Sequence, residues 1–291
     1  MSPNKQFQRI ALIAKPDVSE RLRNTLRSVE SFLLQRQVQL AYDERAAQVL
    51  GHGGAKPLHQ LAEQSDLAIV IGGDGTLLSS AREIVDAGIP LLGINLGRLG
   101  FLVDISPDDM LSILAAVLDG HYQQDNRFLL SCKIGDRHPQ LALNDVVLHK
   151  WNVARMIEFE TWVNDSSIDT QRSDGLIIST PTGSTAYALS GGGPLLAPSL
   201  DAIALVPICP HTLSNRPIVI HGDSRIAISV SGKTDPEHVR VTCDGQASLR
   251  VAAGERIEVH KHPVPLRLLH PAGHDHYDIL RAKLGWGEHP K

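Results

Sequence analysis

The stretch LAIVIGGDGTLLSS, residues 67–80, constrains the fold of this chain more than any other part of its sequence. Its apolar run Leu67–Ile71 has the length and β-branched content of a buried strand, and a helix running toward Asp86 is predicted after the glycines. In α/β folds, a strand, a glycine-rich turn and a helix often form a phosphate site, because glycines leave the backbone N–H groups accessible and the helix start is positive. The segment therefore predicts a sheet whose edge holds an anion.

Asp74 lies inside this glycine cradle, where a carboxylate would oppose a bound anion unless it holds a metal ion or accepts a proton. We interpret Asp74 as a group that acts on substrate. The residues assigned to the phosphate or ATP loop are Gly72, Gly73, Gly75 and Thr76. The alternative is a tight turn in which Asp74 only caps the next helix, because a motif match alone carries a false-positive risk.

The bulk composition limits the function classes. The chain has 291 residues, enough for two domains, and 42% of them are hydrophobic. Its net charge of −4 argues against a nucleic-acid partner, and no apolar run approaches the roughly 18 residues that span a bilayer. Three scattered cysteines and an N-terminus without a secretory pattern predict a cytoplasmic protein. The HDH sequence at 274–276 lacks helical spacing, so we expect a surface loop there and no metal site.

The pattern of predicted elements changes at Gly120. Before it, strands such as Arg9–Ala14 alternate with helices such as Ser19–Gln37, so residues 1–120 are predicted to form an α/β domain. Ser106 is predicted to cap the last helix of this domain. Residues 121–264 are predicted to form a β-rich domain, because turn signals separate many short apolar runs. Its predicted strands are 128–134, 141–149, 156–163, 176–179, 202–206, 218–220, 225–230, 238–243 and 255–260.

The run RSDGLIISTPTGSTAYALSGGGP, residues 172–194, is the second prominent motif. It combines hydroxyl side chains, glycines and Asp174 between apolar segments. These groups can bind the hydroxyl and phosphate oxygens of a nucleotide, whereas they contribute little to a hydrophobic core. Asn144-Asp145 interrupts an apolar stretch, either as a bulge or turn or as a polar pair that faces a cleft. The run NLGRLGFL at 95–102 reads as a glycine-containing loop around Arg98.

These motifs, in this order and spacing and together with Asp244-Gly245-Gln246, resemble the bacterial NAD kinase family. The resemblance extends from Ile10 to Trp286. It implies an α/β N-terminal domain, a β-sandwich-like C-terminal domain that binds NAD, and a C-terminal tail, about 265–291, that returns to the first domain. It also implies a homo-oligomer, often a tetramer.

The resemblance implies transfer of the ATP γ-phosphoryl group to the 2′-hydroxyl of the adenosine ribose of NAD, which gives NADP. Asp74 is then the proton acceptor, and a divalent ion, Mg²⁺, arrives with the nucleotide. The NAD contacts implied by the resemblance are Asp74, Gly75, Asn144, Asp145, Arg155, Arg172, Asp174, Thr185, Ala186, Tyr187, Ala188, Leu189, Ser190 and Gln246. Arg172 has the alternative of pairing with Asp174. The competing functions are a lipid or sugar kinase that shares only the GGDGT loop and a non-catalytic NAD-sensing module.

Overall fold

The computed structural model describes residues 7–97, 99–212, 214–252 and 254–286, so Arg98 of the predicted glycine loop lies outside the described residues. The chain divides into two compact units. The first consists of the described residues up to Asn126 together with those from Leu266 onward, and the second spans Arg127–Pro265. Within the described part of the chain, no helix combines the length and the apolar character needed to cross a membrane.

The first unit is a six-stranded sheet with helices packed on it. Its strands are β1 (Arg9–Ala14), β2 (Gln39–Tyr42), β3 (Leu67–Gly72), β4 (Leu91–Asn95), β5 (Tyr122–Arg127) and β18 (Leu266–Pro271). In spatial order they are β2, β1, β3, β4, β18 and β5, and the pairs from β2 to β18 are parallel. The helices are α1 (Glu20–Gln35), α2 (Glu44–Leu50), α3 (Leu58–Gln64), α4 (Asp74–Ile84), α5 (Met110–Leu118) and α7 (His276–Leu284).

The local sequence explains the main elements of this sheet. All six residues of β3 are buried, as expected for a strand covered on both faces. Helix α1 begins where the Ser19 hydroxyl accepts the Leu22 N–H at 3.3 Å, and its buried side chains recur every three or four residues. These side chains form one hydrophobic core with β1, β3 and α5.

The second unit contains two antiparallel six-stranded sheets that enclose a common core. The strands are β6 (Leu130–Ile134), β7 (Gln140–Ala142), β8 (Asp145–Lys150), β9 (Ile157–Val163), β10 (Ser166–Ser173), β11 (Gly175–Ser179), β12 (Ala202–Ile208), β13 (Ile218–His221), β14 (Ile226–Val230), β15 (Val239–Cys243), β16 (Ala247–Arg250) and β17 (Arg256–Lys261); α6 is Tyr187–Ser190. The first sheet has the order β10, β9, β14, β17, β6, β7, and the second has the order β13, β12, β11, β8, β15, β16. Phe159 and Ile228 from one sheet and Leu148 and Val241 from the other belong to one core, so the unit is a β-sandwich.

The outer face of the second sheet carries a smaller apolar cluster. Val147, Ile177 and Val206 alternate with the core-facing residues of their strands, and they pack against Ala188 and Leu196 of the segment that follows β11. That segment therefore covers one part of the outer face.

Some boundaries differ from those expected from sequence. The first unit extends to Asn126 because β5 joins its sheet, whereas the α/β domain was expected to end at 120. The predicted strand 141–149 is two strands, since Leu143 and Asn144 separate β7 from β8. The prediction that Ser106 caps a helix is wrong: α5 begins at Met110 after Asp109, and the Ser106 hydroxyl instead accepts the Asp109 N–H at 3.3 Å in the preceding turn.

Candidate functional site

The GGDG residues lie at the carboxyl edge of the parallel sheet in the first unit. Gly72 ends β3, Gly73 precedes the helix in an extended conformation, and Asp74 is already the first residue of α4. The motif is therefore a direct strand-to-helix junction with no separate loop, and its helix start has no side-chain cap. Because β1 pairs with both β2 and β3, this junction is at a switch in strand order, where open α/β sheets bind ligands.

The Asp74 carboxylate is half-buried and accepts three backbone N–H groups. Oδ2 accepts from Phe101 at 2.9 Å, and Oδ1 accepts from Leu102 at 3.2 Å and from Val103 at 3.1 Å. A carboxylate has only acceptors, so it suits a segment that presents successive donors. These bonds connect the start of α4 to the end of the NLGRLGFL run and fix the position of the side chain.

Gly100 makes this arrangement sterically feasible. A methyl group at Gly100 would collide with the Asp74 carboxylate, whereas one at Gly97 would come no closer than 3.9 Å to Asn95 Oδ1. The two glycines of the run therefore have different roles, and only Gly100 gives Asp74 its space.

Lys15 is a cation at the same edge that the sequence analysis did not identify. It directly follows β1, its N–H donates to the Ile71 carbonyl at 3.0 Å, and its ammonium lies 2.7 Å from the Asp17 carboxylate. A lysine that directly follows a strand at a switch in strand order indicates a ligand site. This signal can be recognised only when the strand order is known.

The second unit contains a cavity of about 500 Å³ on the outer face of its second sheet. This volume is within the range of small-molecule sites. Its lining comes from strands β8, β12 and β15, from the connections β7–β8, β10–β11 and β15–β16, and from the segment after β11: Asn144, Asp145, Val147, His149, Lys150, Asp174, Ala186, Tyr187, Ile208, Thr242, Asp244 and Gly245.

The backbone at Asn144-Asp145 is held by the turn between β15 and β16. Asp244 and Gly245 both have positive φ, 52° and 63°, and the Asp244 carboxylate accepts the N–H groups of Leu143 at 3.1 Å, Asn144 at 2.7 Å and Asp145 at 3.3 Å. In return, the Asp244 N–H donates to the Asp145 carbonyl at 2.9 Å. The polar pair is thus fixed by the fold, which favours the cleft-facing interpretation of Asn144-Asp145.

The Asp145 carboxyl group has a strongly raised pKa. Burial is the main cause, the charge of Asp244 adds to it, and together they raise the pKa of Asp145 to about 7. Near neutral pH, Asp145 therefore exists in part as a neutral acid that can donate a hydrogen bond into the cavity.

We expect this ionisation to reduce stability as the pH rises. The pKa of Asp145 is higher in the folded than in the unfolded chain. The contribution of its protonated carboxyl group to the free energy of unfolding is therefore fully present at low pH and is lost as the pH rises toward about 7. Between pH 5 and 8 the wild type should lose about 2–3 kcal/mol of unfolding free energy that the Asp145→Asn variant does not lose. Urea unfolding of both proteins at the two pH values measures this difference, and equal losses would contradict the assignment.

Asp174 and the two predicted arginines are placed differently from one another. The Asp174 carboxylate lines the cavity and lies 2.7 Å from the Lys150 ammonium, so the alternative in which Arg172 pairs with Asp174 is wrong. Arg172 has an exposed side chain on β10, and Arg155 is exposed in the segment between β8 and β9. Neither arginine lines the cavity.

The predicted residues 185–190 divide into those that face the cavity and those that do not. Ala186 and Tyr187 line it, and the Tyr187 side chain is 47% exposed. Ala188 is fully buried in the outer apolar cluster, where it holds the segment against the sheet. The remaining predicted residues outside the lining are Thr185, Leu189, Ser190 and Gln246, of which Gln246 completes the turn after Gly245.

His149, Lys150 and Thr242 line the cavity but were missed by the sequence analysis. Asp145 and His149 are four residues apart on β8 and therefore share a face, and Thr242 is paired with Val147 in the neighbouring strand. The alternation along β8 could have identified His149 once Asp145 was assigned to the cleft, whereas Thr242 needed the strand pairing.

Comparison with known proteins gives consistent matches along the chain. The family model described as ATP-NAD kinase N-terminal domain matches residues 10–122, and the one described as ATP-NAD kinase C-terminal domain matches residues 143–270. The chain is 48% identical over 290 residues to the NAD kinase of Nitrosococcus oceani, covering 97% of this chain and 98% of that one. It is 49% identical over 289 residues to the NAD kinase of Pseudomonas putida strain W619, covering 97% of each.

Two solved structures are similar in fold. A yeast NADH kinase complexed with NADH superposes with a TM-score of 0.87 at 22% identity, covering 99% of this chain and 90% of that one. An NAD kinase from Archaeoglobus fulgidus in complex with ATP superposes with a TM-score of 0.76 at 26% identity, covering 95% and 98%. The α/β unit followed by a β-sandwich is thus a fold found in dinucleotide kinases.

Proposed function

The chain belongs to the ATP-NAD kinase family, and from this membership we propose how its residues carry out the reaction. Its activity is NAD phosphorylation: the γ-phosphoryl group of ATP is transferred to the 2′-hydroxyl of the adenosine ribose of NAD, and NADP and ADP are formed. The observation that carries this conclusion is the match with NAD kinases at 48–49% identity over 97% of the chain. A lipid or sugar kinase that shares only the GGDGT loop would not match throughout both units.

We propose Asp74 as the proton acceptor. In the reaction the ribose 2′-oxygen attacks the γ-phosphorus, the bond from that phosphorus to the β-γ bridging oxygen breaks, and the hydroxyl proton passes to the Asp74 carboxylate. The three N–H donors from 101–103 support this proposal because they hold the carboxylate in one orientation, and positioning is the main requirement of phosphoryl transfer. Gly73, which has no side chain, directly precedes α4. The space beside its Cα is open, because no atom lies within 4 Å of the place where a Cβ would be, so phosphate oxygens could approach the helix start there.

We propose that the cavity of the second unit binds NAD. Asp145 as a neutral acid, together with Asn144 and Asp174, supplies donors and acceptors for ribose hydroxyls and amide groups, and the exposed Tyr187 ring offers a stacking surface. Lys150 places a positive charge beside Asp174 at the cavity wall, where it suits the pyrophosphate.

The residues present do not build a cage for a resident divalent ion at Asp74. Both oxygens of this carboxylate accept N–H groups. In the described residues, the clusters of three metal-ligating side chains are Asp104-His270-His274 and Asp201-His221-Asp223, and neither includes Asp74 or a cavity residue. We therefore propose that Mg²⁺ enters with ATP and keeps several waters, and that it neutralises phosphate charge when bound.

The assembly and the compartment are further proposals. We propose a homo-oligomer, with a tetramer as the expected state, and a cytoplasmic location that fits the three scattered cysteines. Light scattering on the purified chain measures its mass against the 31.6 kDa of one copy.

One assay separates the proposed function from its alternatives. The purified chain is incubated with ATP, Mg²⁺ and NAD, and NADP is detected with an NADP-specific dehydrogenase; parallel reactions replace NAD with diacylglycerol or with a sugar. We expect NADP to form with NAD and no phosphorylated lipid or sugar. A chain that binds NAD without producing NADP would support the NAD-sensing alternative.

A further inference from the structure

Three side chains of the first unit that have no role in the reaction as proposed above converge in its interior. His270 belongs to β18, and His274 follows in a tight turn closed by its N–H, which donates to the Pro271 carbonyl at 3.1 Å. The two imidazole rings are stacked, with centroids 3.9 Å apart and planes 20° from parallel. Both rings bond to one oxygen, because Asp104 Oδ2 lies 2.9 Å from His270 Nδ1 and 2.7 Å from His274 Nδ1.

This arrangement corrects the interpretation of HDH at 274–276 as a surface loop. The exposed fraction of the side chain is 5% for His274, 1% for His270 and 8% for Asp104. The sequence pattern is uninformative here because the partner carboxylate precedes His274 by 170 residues.

The bonding pattern fixes the positions of two protons. Burial by itself would raise the pKa of Asp104, but the hydrogen bonds and charges of the two histidines lower it to about 2, so the group is a carboxylate at neutral pH. A carboxylate only accepts hydrogen bonds, so each imidazole carries a proton on Nδ1 and donates it to Oδ2. Nearly parallel rings that share one acceptor do not direct lone pairs at a common point, so the histidines are a pair of donors and not metal ligands.

Stability alone does not explain these polar groups. Among the residues that the structure describes, Asp104 Oδ1, His270 Nε2 and His274 Nε2 are buried without a hydrogen-bond partner. Buried polar atoms of this kind lower the free energy of unfolding, and apolar side chains of similar volume would fill the space without that loss. A requirement for Asp104 to be held in one position would explain why polar groups are used here.

Asp104 is continuous with the segment that holds the proposed proton acceptor. It directly follows residues 101–103, whose N–H groups donate to the Asp74 carboxylate at distances of 2.9 to 3.2 Å. Helix α7 contacts the other end of this segment, because Lys283 Nζ lies 5.6 Å from the centroid of the Phe101 ring, within the range of a cation–π interaction. The part of the chain from β18 onward therefore contacts both ends of the run 101–104.

We propose that His270 and His274 are positioning residues for the phosphoryl transfer, and that they hold Asp74 in place through Asp104 and the donors at 101–103. This inference rests on the proposed role of Asp74 as proton acceptor. While both imidazoles keep their bonds, the Asp104 carboxylate cannot turn, and the three N–H groups stay directed at Asp74. A displacement of about 1 Å at a reacting group lowers a rate by about a hundredfold, so partial loosening of this segment should already reduce kcat.

Paired substitutions of His274 test the proposal. Alanine removes the donor, whereas the amide nitrogen of asparagine reaches the position of Nδ1 and restores it. We expect His274→Ala to lower kcat for NADP formation by about tenfold while KM for NAD and for ATP stays within about threefold of the wild type. His274→Asn should recover kcat to within about threefold of the wild type. His276→Ala is the matched control and should keep wild-type kcat, because this imidazole contacts the ring of Tyr277 and lies outside the cluster.

A double-mutant cycle separates positioning of Asp74 from a general structural role. Losses from independent causes multiply, whereas losses that act through one group do not. In the Asp74→Asn background, His274→Ala should therefore lower the remaining rate by less than about twofold. Multiplied losses, a wild-type kcat for His274→Ala, or no recovery in His274→Asn would each overturn the proposal.

Two further measurements do not use kinase activity. Long-range ¹⁵N spectra of the wild type should show His270 and His274 protonated on Nδ1, and amide hydrogen exchange at 101–103 should be faster in His274→Ala than in the wild type or in His274→Asn. If His274→Ala does not fold, His274→Gln takes its place, because the glutamine amide nitrogen reaches the Nε2 position and leaves Nδ1 without a substitute. An unprotonated Nδ1 in the wild type, or equal exchange in all variants, would contradict the proposal.

The two possible failures are distinguishable. A wild type that forms no NADP would contradict the proposed function. An active wild type whose kcat and amide exchange do not respond to the His274 substitutions would contradict only the positioning role.

Discussion

Asp74→Asn should lower the rate of NADP formation by at least about a hundredfold while NAD still binds. Asparagine cannot accept the ribose proton at this position. It also offers one acceptor oxygen where the carboxylate offers two, so the N–H groups of Phe101, Leu102 and Val103 cannot all keep their bonds. The side chains proposed above to contact NAD, which are Asn144, Asp145, Lys150, Asp174 and Tyr187, line the cavity of the second unit, and Asp74 is not part of that lining. We therefore expect a large fall in kcat and a change in the NAD dissociation constant of less than about tenfold.

The control for this variant is Asp108→Asn, which removes an exposed carboxylate from the same unit. It should retain wild-type kcat. Thermal unfolding of both variants shows how much of the Asp74 effect comes from loosening of residues 101–103. Full turnover by Asp74→Asn would remove the base assignment.

Gly100→Ala should lower kcat by about tenfold to a hundredfold without any change in a chemically reactive group. The added methyl group would occupy the space of the Asp74 carboxylate, which must then turn away from its three donors. A displacement of about 1 Å at a reacting group is enough for a loss of this size. Steady-state kinetics with NAD and ATP measure kcat, and calorimetry measures NAD binding, which should stay near the wild-type value.

Gly97→Ala is the matched control for Gly100→Ala. It is the same substitution in the same segment, but its methyl group would meet only Asn95 Oδ1, at 3.9 Å. We expect its kcat to be within about threefold of the wild type. Equal activity of the two variants would contradict the role of Gly100 in positioning Asp74.

Local signals in the sequence were sufficient for the elements that frame the proposed site. The apolar run at Leu67–Ile71 predicts β3, and the spacing of apolar residues after Ser19 predicts α1, because each pattern depends only on neighbouring residues. The prediction of a glycine turn after β3 was less accurate, since helix α4 begins at Asp74 itself. Glycine indicates a break in periodicity but does not determine which residue begins the helix.

Two polar edge strands had no sequence signal. Strands β5 (Tyr122–Arg127) and β10 (Ser166–Ser173) are at the edges of their sheets and consist mostly of polar residues. An edge strand receives its backbone hydrogen bonds from one neighbour, so it folds without the apolar alternation that makes a strand recognisable.

Contacts between distant parts of the sequence account for the other omissions. Lys150 pairs with Asp174 because β8 and β11 are neighbours, and Asp104 contacts His274 because β18 joins the first sheet. Neither pair has a characteristic spacing. In both cases the residue types were visible in the sequence, whereas their proximity depends on the fold.

A dinucleotide that lacks the acceptor hydroxyl tests whether the phosphoryl group is transferred to the ribose 2′-oxygen of NAD. The chain is incubated with γ-³²P-labelled ATP, Mg²⁺ and either NAD or the analogue that lacks the 2′-hydroxyl of the adenosine ribose, after binding of both has been measured. We expect both dinucleotides to bind and only NAD to become labelled. Equal labelling of the two dinucleotides, or release of the label as inorganic phosphate alone, would contradict this expectation.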